Sequence, residues 1–221
     1  MSTQPNIYVL SDSPWLSYLQ LKMRDRTANL DTFTRNANQV IRLLLKAASQ
    51  WLPHKNGTVT TPIGDLFAGK VLSRTICGVS VIRAGESMEA EFRSMFPDQP
   101  IGKILIQRDK ESKLPNYLYS HFPADISEMT IMLFEPMLAT GGSLLKSIDV
   151  LKDSGVAIEN IIVVNVLASP YGINRMTQTW PNLKIVTPSI ESGMTESAFM
   201  RPGIGDFGDR FFGTYPGASH E

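Results

Sequence analysis

The chain has 221 residues, 43% apolar and 19% charged, with 21 basic side chains against 21 acidic ones. That length fits one domain with a substantial core, and the balanced charge leaves no electrostatic footprint for nucleic acid or an anionic membrane. A single cysteine, Cys77, excludes an internal disulfide and reads as packing in a reducing compartment. His54, His121 and His220 lack metal-ligand spacing. The start, Met1-Ser2-Thr3-Gln4-Pro5, has neither the basic nor the apolar region of a signal peptide. The longest apolar stretch, residues 161–168, is too short for a bilayer, so a cytoplasmic protein is expected.

The first third reads helical. Asp31 is the expected N-cap of a helix running to about residue 52, because Phe33, Ala37, Val40, Ile41, Leu44, Leu45 and Ala48 recur at three- and four-residue spacings. Turn residues between β-rich runs over 56–74 predict a hairpin arm. Beyond it the pattern alternates. Strands are expected at 79–82, 101–106, 130–134, 161–167 and 184–186, and helices through Met88, Phe92 and Met95, at 143–152 and at 172–180. Such alternation predicts an α/β fold, a mostly parallel central sheet flanked by helices. A single domain is expected: N-terminal helices over 1–55, the arm over 56–74, an α/β core over 75–190, and a loop region with a tail over 191–221. Ligands of open α/β sheets sit beyond the carboxyl ends of strands, so the loops after Ile82, Ile106 and Phe134 are where chemistry is sought.

The segment Phe134-Glu135-Pro136-Met137-Leu138-Ala139-Thr140-Gly141-Gly142-Ser143 joins a strand to a helix. Its glycines let backbone approach a ligand, the helix start offers unpaired N–H groups, and Thr140 and Ser143 add hydroxyls, which together suit a phosphate monoester. A side chain at Gly141 is expected to fill the phosphate's space. A P-loop is excluded because no Lys-Ser/Thr pair follows the glycines. Glu135 stands five residues before Thr140, the right reach for ribose hydroxyls. The second segment, Arg201-Pro202-Gly203-Ile204-Gly205-Asp206-Phe207-Gly208-Asp209-Arg210-Phe211-Phe212-Gly213-Thr214, literally contains a dinucleotide glycine fingerprint. Its place in the chain excludes a Rossmann unit, since no strand–helix unit fits and the chain stops before a ribose-binding acid could follow. Arg83 and Arg108 follow two strands, where a guanidinium fork can grip a pyrophosphate.

The loop Glu135–Ser143 resembles the 5-phosphoribosyl 1-diphosphate (PRPP) motif of type I phosphoribosyltransferases, and its Pro-Met-Leu-Ala-Thr-Gly-Gly-Ser run is similar to the variant in the uracil phosphoribosyltransferase family. The second segment resembles that family's uracil-binding loop. The segments around Arg83 and Arg108, Arg24-Asp25 and the arm resemble its eukaryotic-like branch. The resemblance implies PRPP contacts at Arg83, Arg108, Glu135, Pro136, Met137, Leu138, Ala139, Thr140, Gly141, Gly142, Ser143 and Asp206. It implies uracil contacts at Met200, Gly205, Asp206 and Phe207, with Asp206 and Arg108 in catalytic roles. Glu135 replaces the family's usual Asp, Met200-Arg201 an aliphatic pair, and Ala139 an acid that related enzymes often carry. Mg2+ bound with PRPP, GTP as an activator and a homodimer or higher homo-oligomer are further implications. The alternative is a catalytically silent relative acting as a nucleotide sensor, which an intact Thr140–Ser143 turn disfavours.

Overall fold

The computed structural model describes residues 6–108, 115–196 and 198–214, with Arg108 described by its backbone alone. Residues 109–111 of the Arg108 segment and the tail from 215 lie outside the described residues.

Strand β1 (Ile7–Val9) precedes helix α1 (Pro14–Arg24), which starts with Pro14 behind an N-cap at Ser13. Proline suits that position because the missing N–H would have had no intrahelical partner. Helix α2 (Leu30–Ala48) buries every residue of the stripe read from the sequence. Each fully buried side chain of the larger apolar kind contributes about 1.5–3 kcal/mol. Its cap is Asn29, whose side chain accepts from Thr32 N at 2.9 Å. Asp31 instead lies in the first turn, where it favours the helix dipole and pairs with Arg35 at 2.6 Å. The arm is β2 (His54–Thr60) against β3 (Leu66–Leu72), antiparallel from His54↔Leu72 to Thr60↔Leu66. It turns at Thr61–Asp65, where Gly64 takes the positive φ of +94°.

The remaining elements build the sheet. They are β4 (Ile76–Ile82), α3 (Glu89–Met95) behind a 3-10 turn at Ala84–Met88, β5 (Ile101–Arg108), β6 (Pro115–His121) and β7 (Thr130–Phe134). Then come β8 (Met137–Leu138), α4 (Gly142–Asp153), β9 (Ile161–Val164), β10 (Leu167–Ala168), α5 (Pro170–Thr179) and β11 (Lys184–Thr187). Short strands β12 (Gly193–Met194) and β13 (Met200–Arg201) precede α6 (Phe207–Phe212). Seven strands form one sheet in the order β1-β11-β9-β7-β4-β5-β6, parallel except for the edge strand β6. The expected α/β sheet with flanking helices is therefore what the chain adopts.

Alternation along the strands separates two cores, since successive side chains point to opposite faces. Met132, Phe134, Ile162, Val164 and Val186 pack with α1, α2 and α3. Cys77, Val79, Val81, Ile131, Leu133, Ile161, Val163 and Ile185 pack with α4 and α5. Burial pushes the Cys77 thiol up to about 11, so it stays protonated at neutral pH. The chain leaves β4 toward β5 on one side and later returns through β7 to β9 on the other. Strand order thus reverses between β4 and β7, which opens the crevice where α/β sheets bind ligands.

Candidate active site

Two expected segments, Arg83 and Glu135–Ser143, emerge from the two strands that flank that reversal. Gly85 lets the turn after β4 lie on the end of β7, where a Cβ would sit 2.3 Å from the Phe134 carbonyl oxygen. Ser80, Glu86, Glu89 and Lys103 fix this turn from below. The Lys103 ammonium donates to Glu86 at 2.8 Å and Glu89 at 2.5 Å, and the buried Ser80 hydroxyl donates to Glu89 at 2.6 Å. Burial works against the charge on Lys103, but its two carboxylate bonds outweigh it and hold its pKa above the ordinary value.

The phosphate-type loop ends in Gly141, at φ +76°, which opens α4. Helices α1, α2, α5 and α6 all begin with a side-chain cap at Ser13, Asn29, Ser169 and Asp206, whereas no side chain caps α4. Its first-turn N–H groups and dipole are therefore available to an anion. The loop is gripped from behind through its carbonyls. Asn165 Nδ2 donates to Glu135 O at 2.9 Å and Pro136 O at 3.0 Å, Ser169 Oγ to Ala139 O at 2.6 Å, and Arg175 Nη1 to Thr140 O at 2.9 Å. Asn165 is itself fixed by the Thr187 hydroxyl at 3.0 Å. Strand β8 pairs with β10, and Gly172 of α5 fits beneath, where a Cβ would stand 2.7 and 2.8 Å from Leu138 O and Ala139 O. The space around Gly141 corrects the sequence reading. A Cβ there would meet Met176 Cε of α5 at 2.7 Å, behind the loop rather than in front of it. Within the run, Pro136, Leu138 and Gly141 are buried, while Glu135, Met137, Ala139, Thr140, Gly142 and Ser143 are partly exposed.

The second segment folds over this crevice. Asp206 is exposed and caps α6, its side chain accepting from Asp209 N at 2.8 Å. Gly208 packs closely on the crevice: a Cβ would lie 3.4 Å from Asp206 Oδ1 and 3.5 Å from Arg83 Nη2. Asp206 and Arg83 are thus neighbours. Arg83 donates to Asp209 and, at 2.8 Å, to the Thr214 hydroxyl, and lies 5.6 Å from the Phe212 ring centre. The guanidinium and the Thr214 bond hold the Asp209 carboxyl below the usual carboxylate range. Gly205 is exposed, whereas the side chains of Met200 and Phe207 are buried, Phe207 between Phe33 and Phe211.

Arg108 ends β5, a strand next to β4, and its side chain lies outside the described residues. Gly142 stands close to Pro115, the first residue of β6, so the chain returns from the β5–β6 connection beside the start of α4. Sequence reasoning missed Asn165, Ser169 and Arg175, the side chains that hold the loop's carbonyls. Only Asn165 carried a signal, an amide inside an apolar run.

The family model described as "Uracil phosphoribosyltransferase" matches residues 10–214. The chain is 42% identical to "Uracil phosphoribosyltransferase" of Dictyostelium discoideum over 97% of its own length and 99% of that protein's. It is 39% identical to the Saccharomyces cerevisiae protein of the same name, over 96% and 99% of the two chains. Its fold is similar to the solved "Structure of AQ2163 protein from Aquifex aeolicus", with a TM-score of 0.83 at 23% identity, covering 93% of this chain and 97% of that one. The uncapped turn at the strand reversal and the glycine-rich segment beside it both lie within the matched residues, and the chain is a member of the uracil phosphoribosyltransferase family.

Proposed function

We propose that the protein transfers the 5-phosphoribosyl group of PRPP to uracil, giving UMP and diphosphate. The observation that carries this reading is the meeting of an uncapped α4 N-terminus with Arg83 and the Asp206 loop at the strand reversal. The 5-phosphate sits on the amides of residues 140–143, the ribose hydroxyls on Glu135, and the pyrophosphate near Arg83 and Arg108. Uracil is read by backbone of the loop 200–207, with Gly205 and Asp206 facing it and the buried Met200 and Phe207 setting its shape.

In the reaction the bond from the anomeric carbon to the pyrophosphate oxygen breaks as uracil N1 bonds to the opposite face of that carbon. The proton of N1 passes to solvent. Positioning and charge stabilisation supply most of the rate. Mg2+ accompanies PRPP as part of the substrate complex and neutralises pyrophosphate charge. Among the described residues no three metal-binding side chains cluster, which fits an ion held chiefly by phosphates with Asp206 beside it. GTP as an activator and a homodimer or larger assembly rest on the family resemblance. A cytoplasmic location fits the lone buried cysteine, and no helix among the described residues is long and apolar enough to cross a membrane.

A base panel with PRPP and Mg2+ tests the assignment. UMP is expected from uracil, with adenine, guanine and orotate falling far behind; equal or better turnover of orotate would overturn it.

A further inference from the structure

We infer that Arg24 and Glu191, neither of which reaches the crevice, are positioning residues that set the base-binding loop through Gly203; this inference rests on the uracil reading above. Both polar backbone groups of Gly203 are captured from behind. Its N–H donates to Glu191 Oε2 at 2.6 Å, and its carbonyl accepts from Arg24 Nη1 at 3.1 Å. The two side chains are joined to each other by a fork, Nη2 to Oε1 at 2.7 Å and Nη1 to Oε2 at 3.1 Å. Arg24 reaches further, to Gln20 and Ser189 at 3.3 Å each. Gly203 cannot be held by a side chain of its own: its φ is +73°, and a Cβ would lie 2.2 Å from Met200 O. The turn therefore depends on outside groups for its position.

Those groups are tied to the phosphoribosyl side of the site. Glu191 N donates to Ala168 O at 2.8 Å, and Ala168 pairs with Leu138 of the phosphate loop through β10 and β8. Starting from the loop that holds the phosphate, the hydrogen-bonded path runs through β10 to the Glu191 backbone and from the Glu191 side chain to Gly203, two residues before Gly205. The base loop is thereby registered against the sugar by a bonded frame. Glu191 has a side chain only 3% exposed and Arg24 one 22% exposed. Burying such a pair costs desolvation that an apolar pair avoids, so stability alone is a weak reason for charges here. Recognition of a backbone N–H and C=O together, by an acceptor and a donor fixed against each other, is a strong one.

Steady-state kinetics on Glu191→Gln and Arg24→Lys tests this. Glutamine keeps the shape but has one acceptor oxygen for three donor nitrogens, and lysine keeps the charge but loses the fork. The KM for uracil is expected to rise about tenfold or more in both, equivalent to about 1.4 kcal/mol, with the KM for PRPP and the kcat at saturating uracil nearly unchanged. A fall in melting temperature with both KM values unmoved, or a parallel rise in the two, overturns the inference and leaves a merely structural pair. If either variant fails to fold, Gln20→Ala and Ser189→Ala take its place, since each removes one outer bond of Arg24. A smaller rise confined to uracil is expected there, and its absence in folded protein overturns the inference. Wild-type protein that makes no UMP from uracil would instead sink the functional reading.

Discussion

Asp206 caps α6, and the proposed reaction gives the same carboxylate a second role at the crevice. Asparagine caps a helix as well as aspartate does, whereas alanine costs about 1 kcal/mol. Asp206→Asn should therefore leave thermal stability near wild type while turnover falls steeply, and Asp206→Ala should lose both. Calorimetry beside UMP-formation kinetics separates the two roles, and a fully active Asn variant would reduce Asp206 to its cap. Glu135 is argued from its position between the end of β7 and the phosphate turn. Bonds from two ribose hydroxyls to a carboxylate contribute roughly 1.5–3 kcal/mol each, so Glu135→Ala should weaken PRPP use on the order of a hundredfold or more. Glu135→Asp, one methylene shorter, should keep most activity; an Ala variant with unaltered PRPP dependence leaves Glu135 a solvated strand-end residue. Arg83 holds the Asp209 carboxyl below its ordinary 3.8. A depressed carboxyl pKa gives stability that is present above the unfolded value and lost as pH falls through the folded one. Denaturant unfolding of wild type and Asp209→Asn should differ by a constant amount at pH well above 3.8 and converge as the pH falls below it.

At the scale of elements, the phosphate loop depends on the carbonyl grip of β10 and α5. Gly172→Ala places a methyl against two backbone oxygens that cannot swing aside. It should raise the KM for PRPP well before it unfolds the protein, and a PRPP titration that matches wild type would show the loop tolerates displacement. The loop itself was legible because its glycines and hydroxyls are contiguous and read as one turn. Its supports were not, because Asn165, Ser169 and Arg175 stand 29–35 residues from the carbonyls they hold, and no local pattern announces a partner so distant. The same limit hid β1, a three-residue strand that gains its identity only by pairing with β11. Helix α6 was read as loop because six residues are too few for periodicity; Asp206 and Gly213 bound it instead. The helix-forming stripe of α2 was fully readable, since its spacing alone determines which face is buried.

At the scale of the whole molecule, the arm carries exposed apolar side chains at Val59, Ile63, Leu66 and Phe67. Exposed apolar side chains of this kind suit an association surface, and the homo-oligomer proposed above would cover them. Replacing Leu66 and Phe67 by Glu should lower the sedimentation mass while leaving far-UV circular dichroism unchanged; an unaltered mass would place any interface elsewhere. The path of the chain has a different consequence, for the order in which it can fold during synthesis. Strand β1 finds its sheet partner in β11, Arg24 finds Glu191, and Arg210 reaches back to the carbonyls of Met23 and Asp25 at 2.7 and 2.6 Å. Contacts so far apart in sequence form late, after their closure entropy can be met. Helix α1 can pack on α2 early, but β1 and Arg24 must wait for their partners at residues 184–191, and the Met23 and Asp25 carbonyls for Arg210, while β4 to β9 can already assemble. Translation thus makes the crevice at the strand reversal available before the Arg24–Glu191 frame that holds Gly203.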